Sequence, residues 1–99
     1  MGVTGDLTVR DNEAELRYEV VGEDKVLGEI VYRKRGDRMV LTHTEVLPYA
    51  EGSGLGSRLV AGALDDIRAR GLRVVPLCPF VAAYIQRHPE YGDLVAAPE

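Results

Sequence analysis

A mixed α/β (α+β) fold is predicted: antiparallel strands 1–4, then a helix, a parallel strand 5 and a C-terminal helix. Three observations carry it. The first half alternates polar and apolar residues with a period of two. The period changes to that of a helix at Leu55. The stretch between the fourth and fifth strands is long enough for a helical crossover, which makes those two strands parallel neighbours.

The elements follow in order. A short strand is read at Leu7 to Asp11. Ala14, Leu16, Tyr18 and Val20 share one face of the next strand, and Glu13, Glu15, Arg17 and Glu19 the other, as in a half-buried strand. "VGEDK" breaks the pattern, and a strand runs from Val26 to Arg33. "KRGDR" is a turn punctuated by Gly36 and Asp37, and Arg38 to Val46 is the fourth strand. Leu55, Leu59, Val60, Ala63, Leu64 and Ile67 form one side of a helix, with Gly71 as its stop. "RVVPL" is a short apolar strand, expected to be central. Pro79 suits the first turn of a last helix, which ends before Pro89.

The chain has 99 residues, 45% hydrophobic and 28% charged, and is expected to be a single domain, 1–99. A net charge of −4 argues against nucleic acid and fits an amine or other cationic substrate slightly better. No apolar run approaches the ~20 residues of a membrane span, so no membrane partner is expected. The N-terminus lacks a basic region followed by an apolar segment, so no signal peptide is read there. Cys78 is the one cysteine and cannot pair internally, which points to a reducing, cytoplasmic setting. Monomer or weak homodimer is the expected state.

Between Val46 and the first helix lies "PYAEGSGLGSRLV", with glycines at 52, 54 and 56. A strand, a glycine-rich turn and a helix start outline an anion site, because free N–H groups and the helix dipole point at the turn. Two phosphate motifs fail. A P-loop needs Gly-Lys-Ser/Thr, but Gly56 is followed by Ser57 and Arg58. A dinucleotide loop needs a third glycine where Ser57 or Leu59 stands.

The longer string "VLPYAEGSGLGSRLV" resembles the acetyl-CoA-binding segment of the GNAT N-acetyltransferase superfamily. With "LTHTEV" and "VVPLCPFVAAYIQRHPEY" it resembles a minimal GNAT-like subfamily, over roughly residues 38 to 91. The resemblance implies acetyl-CoA or CoA as cofactor and an amine as acceptor: a protein lysine, an N-terminus or a small amine. It implies that Glu51, Gly52, Ser53, Gly54, Leu55, Gly56, Ser57 and Arg58 wrap the pyrophosphate. Pantetheine would then enter where strands four and five splay, beside Val46. Glu51 departs from the superfamily's Arg or Gln, and Ser53 from its frequent Lys or Arg. A carboxylate beside a pyrophosphate costs ~1 kcal/mol in a solvated setting.

Acetyl transfer needs a base for the amine and a partner for the leaving thiolate. His43 and Glu45 lie two apart on one strand, so they share a face and are read as a general-base pair or as structural polar residues. Cys78 stands where a strand gives way to a helix, a setting that favours thiolate. It is a candidate nucleophile or a small packed residue. Tyr84 falls on the last helix, where the superfamily often carries the acid, though its spacing also matches the neighbouring packing aromatic. His43, His88 and Cys78 are not clustered, so no metal site is read. A non-catalytic CoA- or acyl-CoA-binding module and a purely structural interaction domain are the alternatives to an enzyme.

Overall fold

The computed structural model describes residues 7–48 and 54–97. Five strands form one sheet in chain order: β1 (Leu7–Asn12), β2 (Arg17–Gly22), β3 (Lys25–Arg35), β4 (Arg38–Val46) and β5 (Arg73–Pro76). The first four are antiparallel, and β5 runs parallel to β4 after the helical crossover. Helix α1 spans Leu55–Ala69 and α2 spans Pro79–Arg87. Single 3-10 segments cover Glu13–Glu15 and Pro89–Leu94.

The apolar stripe read from the sequence is the buried face of α1: Leu55, Leu59, Val60, Ala63, Leu64 and Ile67. It packs on one face of the sheet, against Tyr18, Val20, Ile30, Tyr32, Met39, Leu41 and Val74, and Val81, Tyr84 and Ile85 of α2 join that core. Each such side chain contributes roughly 1.5–3 kcal/mol when fully buried. Gly62 lets α1 lie directly on β1, since an added Cβ would stand 2.6 Å from Val9 Cβ. The opposite face carries a small cluster of Val40, Val75 and Ala96. Arg17, Glu19, Glu29, His43 and Glu45 share that face with Val31.

Four expectations are corrected. The second strand begins at Arg17, because Glu13–Glu15 form a 3-10 turn capped by the Asn12 side chain. Leu16, placed on the buried face by alternation, closes that turn with φ 54 and is half exposed. Glu19, placed on the solvent face, has no exposed surface. Its carboxylate accepts from Arg10 Nε at 2.9 Å, Asn12 Nδ2 at 3.0 Å and Arg17 Nε at 2.7 Å. Burial opposes ionisation, yet these donors outweigh it and hold the Glu19 carboxyl below its usual range. Finally, β5 lies at the end of the strand order rather than in the middle of the sheet. Its apolar character has another cause: Val74 faces the core under α1, and Val95 bridges to its outer edge.

The β2–β3 hairpin is closed by Glu23 and Asp24, both at positive φ (54 and 63). A two-residue turn needs that hand to match the strand twist, and it is usually supplied by Asn-Gly.

Candidate functional site

The site is built around the C-terminal end of β4. The ladder between β4 and β5 ends at Leu41↔Pro76. One further bond, Cys78 N–H to the Leu41 carbonyl at 2.9 Å, then turns the chain into α2. Beyond Leu41, β4 has a β3 partner on one side and no β5 partner on the other. The Leu47 N–H donates to the Leu27 carbonyl at 2.9 Å. By antiparallel alternation Glu45 and His43 therefore turn their main-chain groups toward β3, and Thr44 and Val46 turn theirs toward the gap. A bulge between Val31 and Tyr32, with Thr42 as the extra residue on β4, sets this switch.

The start of α1 borders the gap. Gly54 is its N-cap at φ 81, a conformation in which only glycine is unstrained, and no side chain caps the helix. The N–H groups of Leu55, Gly56 and Ser57 consequently have no intrahelical partner. No acidic residue sits in the first turn. Arg58, exposed on that turn, makes no ion pair among the described residues. Glu51, Gly52 and Ser53 lie outside the described residues.

Gly56 has a second reason to be glycine. An added Cβ would stand 2.8 Å from Phe80 Cζ, because the ring of Phe80 lies over the first turn of α1. Phe80 is 41% exposed, with Leu77 and Leu47 also exposed near the ends of the neighbouring strands. Sequence periodicity gave no sign of Phe80, whose role depends on how α2 docks.

The two faces of β4 carry different chemistry. On the helix side, Thr44 pairs with Ile30, and its Oγ1 lies 3.2 Å from Cys78 Sγ. Cys78 is buried in the core with Val74 and Val81, so the thiol lies beneath the gap rather than in solvent. Val46 packs against the same core opposite Gly28. On the open face stand His43 and Glu45, as the two-residue spacing requires. His43 Nε2 is 3.6 Å from Glu45 Oε1, with side chains 62% and 71% exposed. Register places Glu19, Glu29 and Glu45 in one cross-strand row. Arg17 neutralises the first two, at 2.7 Å from each. Glu45 directly opposes Glu29, a like-charge pairing that disfavours the empty strand pair. Glu29, Glu45, Gly28, Val46, Leu47 and Pro48 line a groove of about 270 Å³.

Tyr84 lies in α2, buried and stacked on His88 with ring centroids 3.9 Å apart. Burial, then the charges of Glu90 and Asp65, push its phenol above the ordinary value. His88 Nδ1–H donates to the Tyr84 carbonyl at 2.8 Å, which fixes the ring at the end of the helix. Among the described residues no group of three or more His, Cys, Asp or Glu side chains could hold a metal ion. No helix among them is long and apolar enough to cross a membrane.

Comparison with known proteins agrees with this architecture. The fold is similar to that of a GCN5-like protein from Staphylococcus aureus, solved by NMR. The TM-score is 0.69 at 22% identity, covering 97% of this chain and 94% of that one. No curated protein matches the sequence. The family model of GCN5-related N-acetyltransferases matches residues 12–94, from the end of β1 through the segment after α2, and the chain belongs to that family.

Proposed function

We propose that the protein transfers an acetyl group from acetyl-CoA to a primary amine. The observation that carries this reading is the gap between β4 and β5 beside the bare N-terminus of α1. It combines a strand edge with free main-chain groups and an anion seat, which suits a ligand with amides along an arm and a pyrophosphate at its end. Acetyl-CoA supplies the activated thioester when bound. The amides at 54–57 and the charge of Arg58 hold its phosphates, and the Thr44 and Val46 main chain orients its arm.

The acceptor arrives as an ammonium ion. For a lysine-like amine of pKa ~10.4, loss of the proton at pH 7 costs about 4–5 kcal/mol. Glu45, next to His43 on the open face, takes that proton and passes it to solvent. Glu29 and Glu45 together attract a cationic acceptor into the groove. Tyr84 is held as a neutral phenol and carries a proton of the kind a leaving thiolate needs. Cys78 packs against Thr44 and forms the floor. The acceptor class is a protein lysine, an N-terminus or a small amine.

A thermal melt with CoA tests the reading. Binding stabilises the fold by ~2.7 kcal/mol at a hundredfold excess over Kd. Gly54→Asp, which adds bulk and negative charge at the cap, abolishes the shift. A melt unmoved by millimolar CoA refutes the cofactor. The exposure of His43 and Glu45 favours a second reading, a CoA-binding module without turnover. It predicts the same melt shift but no CoA release with any amine.

A further inference from the structure

The open face of the sheet carries a second charged row, at the end away from the groove. Register places Arg35 opposite Arg38 and Arg38 opposite Arg73, so three arginines stand in one line across β3, β4 and β5. Arg33 lies two residues before Arg35 on the same face, in line with Val40 and Val75. Asp37 is the one acid between Arg33 and Val40. We propose that this arginine row docks an acidic stretch of polypeptide whose lysine reaches the Glu29–Glu45 groove. The role of that lysine as acceptor rests on the transfer reading above; the docking of the acids does not.

Like charges directly opposite one another destabilise a sheet, and here the pairing occurs twice in one row. A run of carboxylates relieves that repulsion. Each guanidinium presents five N–H donors in a planar fork that matches a carboxylate, so partners within the chain do not exhaust it. Arg73, for example, gives one donor to the Val95 carbonyl at 2.8 Å. Arg33, Arg35 and Arg73 are exposed. Two strand spacings of ~4.8 Å set Arg35 and Arg73 about 10 Å apart, a width that suits several acids in an extended segment better than one phosphate.

The groove fixes the spacing. Glu29 and Arg35 are six residues apart on β3, about 20 Å at ~3.3 Å per residue, and six residues of an extended chain cover the same length. The path between them crosses half-exposed Val31 and exposed Arg33. Other occupants fit less well. In a face-to-face pair of chains the arginines would meet the row of Glu19, Glu29 and Glu45. Arg10, Asn12 and Arg17 already hold Glu19, and Arg17 also holds Glu29, so the match is poor. Nucleic acid running along this face would bring phosphates against the same carboxylates. The phosphates of CoA are assigned to the start of α1, beyond Val46, whereas Arg38 opens β4.

The test is an amide-resolved NMR titration of the whole chain at low salt. The probe is a peptide with a central lysine, five Gly and Ser residues on each side and three glutamates at each end. Shifts are expected at Arg33, Arg35, Arg38 and Arg73 and also at Glu29 and Glu45. Glutamine in place of glutamate should abolish the shifts in the arginine row, and glutamates moved next to the lysine should weaken binding. Arg33→Glu with Arg35→Glu weakens binding by about tenfold, since exposed ion pairs contribute up to about fivefold each. If that variant does not fold, Arg35→Ser beside the turn gives the same test with a smaller loss. Shifts at only one of the two ends, equal binding of the glutamine peptide or unchanged affinity in the variants would overturn the proposal. So would open-face shifts that appear on concentrating the chain alone, which would assign the face to a second copy. Binding at both ends without CoA release from acetyl-CoA would support the docking surface and tell against the transfer reading alone.

Discussion

Gly62→Ala puts a methyl group into the contact between α1 and β1. Its Cβ would lie 2.6 Å from Val9 Cβ, 2.6 Å from Cγ2 and 2.8 Å from Cγ1. Val9 is β-branched and held in strand register opposite Val20, so it has no rotamer that clears all three contacts. Overpacking of this kind costs typically ~1–3 kcal/mol. The same substitution returns about 1 kcal/mol of helix propensity. With three short contacts the clash lies in the upper part of its range, so the net loss is about 1–2 kcal/mol. For a chain of this size that lowers Tm by roughly 5–10 °C. Urea denaturation of the variant measures the loss directly. Val9→Ala in the same background makes room, and the double-mutant cycle should show a favourable coupling of about 1 kcal/mol. Gly56→Ala is the control: its clash is with the outer tip of the Phe80 ring, which can swing into solvent, so stability changes little. A Gly62→Ala protein as stable as the parent would refute the packing argument.

Replacing Glu23-Asp24 with Asn-Gly removes two positive-φ penalties from the β2–β3 hairpin and should raise stability by about 1–2 kcal/mol, read by thermal melting. The depressed pKa of Glu19 contributes stability that is present above the unfolded value of ~4.3 and is lost as pH falls through the folded value. Glu19→Gln should therefore cost about 2 kcal/mol at neutral pH and flatten the acid limb of a stability–pH curve. On any acceptor that turns over, Glu45→Gln lowers the rate by roughly 10²–10⁴-fold. Cys78→Ala keeps measurable turnover if the amine attacks the thioester directly, and an acetylated Cys78 that discharges to amine at the turnover rate would show the covalent route instead.

The elements with a strong period were legible. The stripe of α1 follows from side-chain spacing alone, and β4 begins and ends where the turn at Gly36 and the proline at 48 require. What failed was decided by contacts distant in sequence. Glu19 reads as a solvent residue until Arg10 and Asn12 arrive from β1. Leu16 reads as a core residue until the Asn12 side chain caps a turn in front of it. The role of Gly56 was half visible: its place at a helix start suggests an anion, but the sequence does not show that the Phe80 ring, 24 residues later, rests over it. Same-face placement of His43 and Glu45 was legible from strand geometry. The position of Cys78 under Thr44 was not, since it depends on where the β5 ladder stops.

That stopping point has an evolutionary consequence. Main-chain donors and acceptors are carried by every residue except proline, which lacks the donor, so an edge that recognises a ligand through them constrains the path of the chain more than its letters. As far as holding such a ligand goes, the side chains of Thr44 and Val46 can drift as long as the strand and its bulge survive. Alanine at either position would leave binding along the edge little changed, while a single proline at Thr44 or Val46 would remove a donor from the gap. A fold that keeps its shape over 97% of the chain at 22% identity has room for that kind of drift.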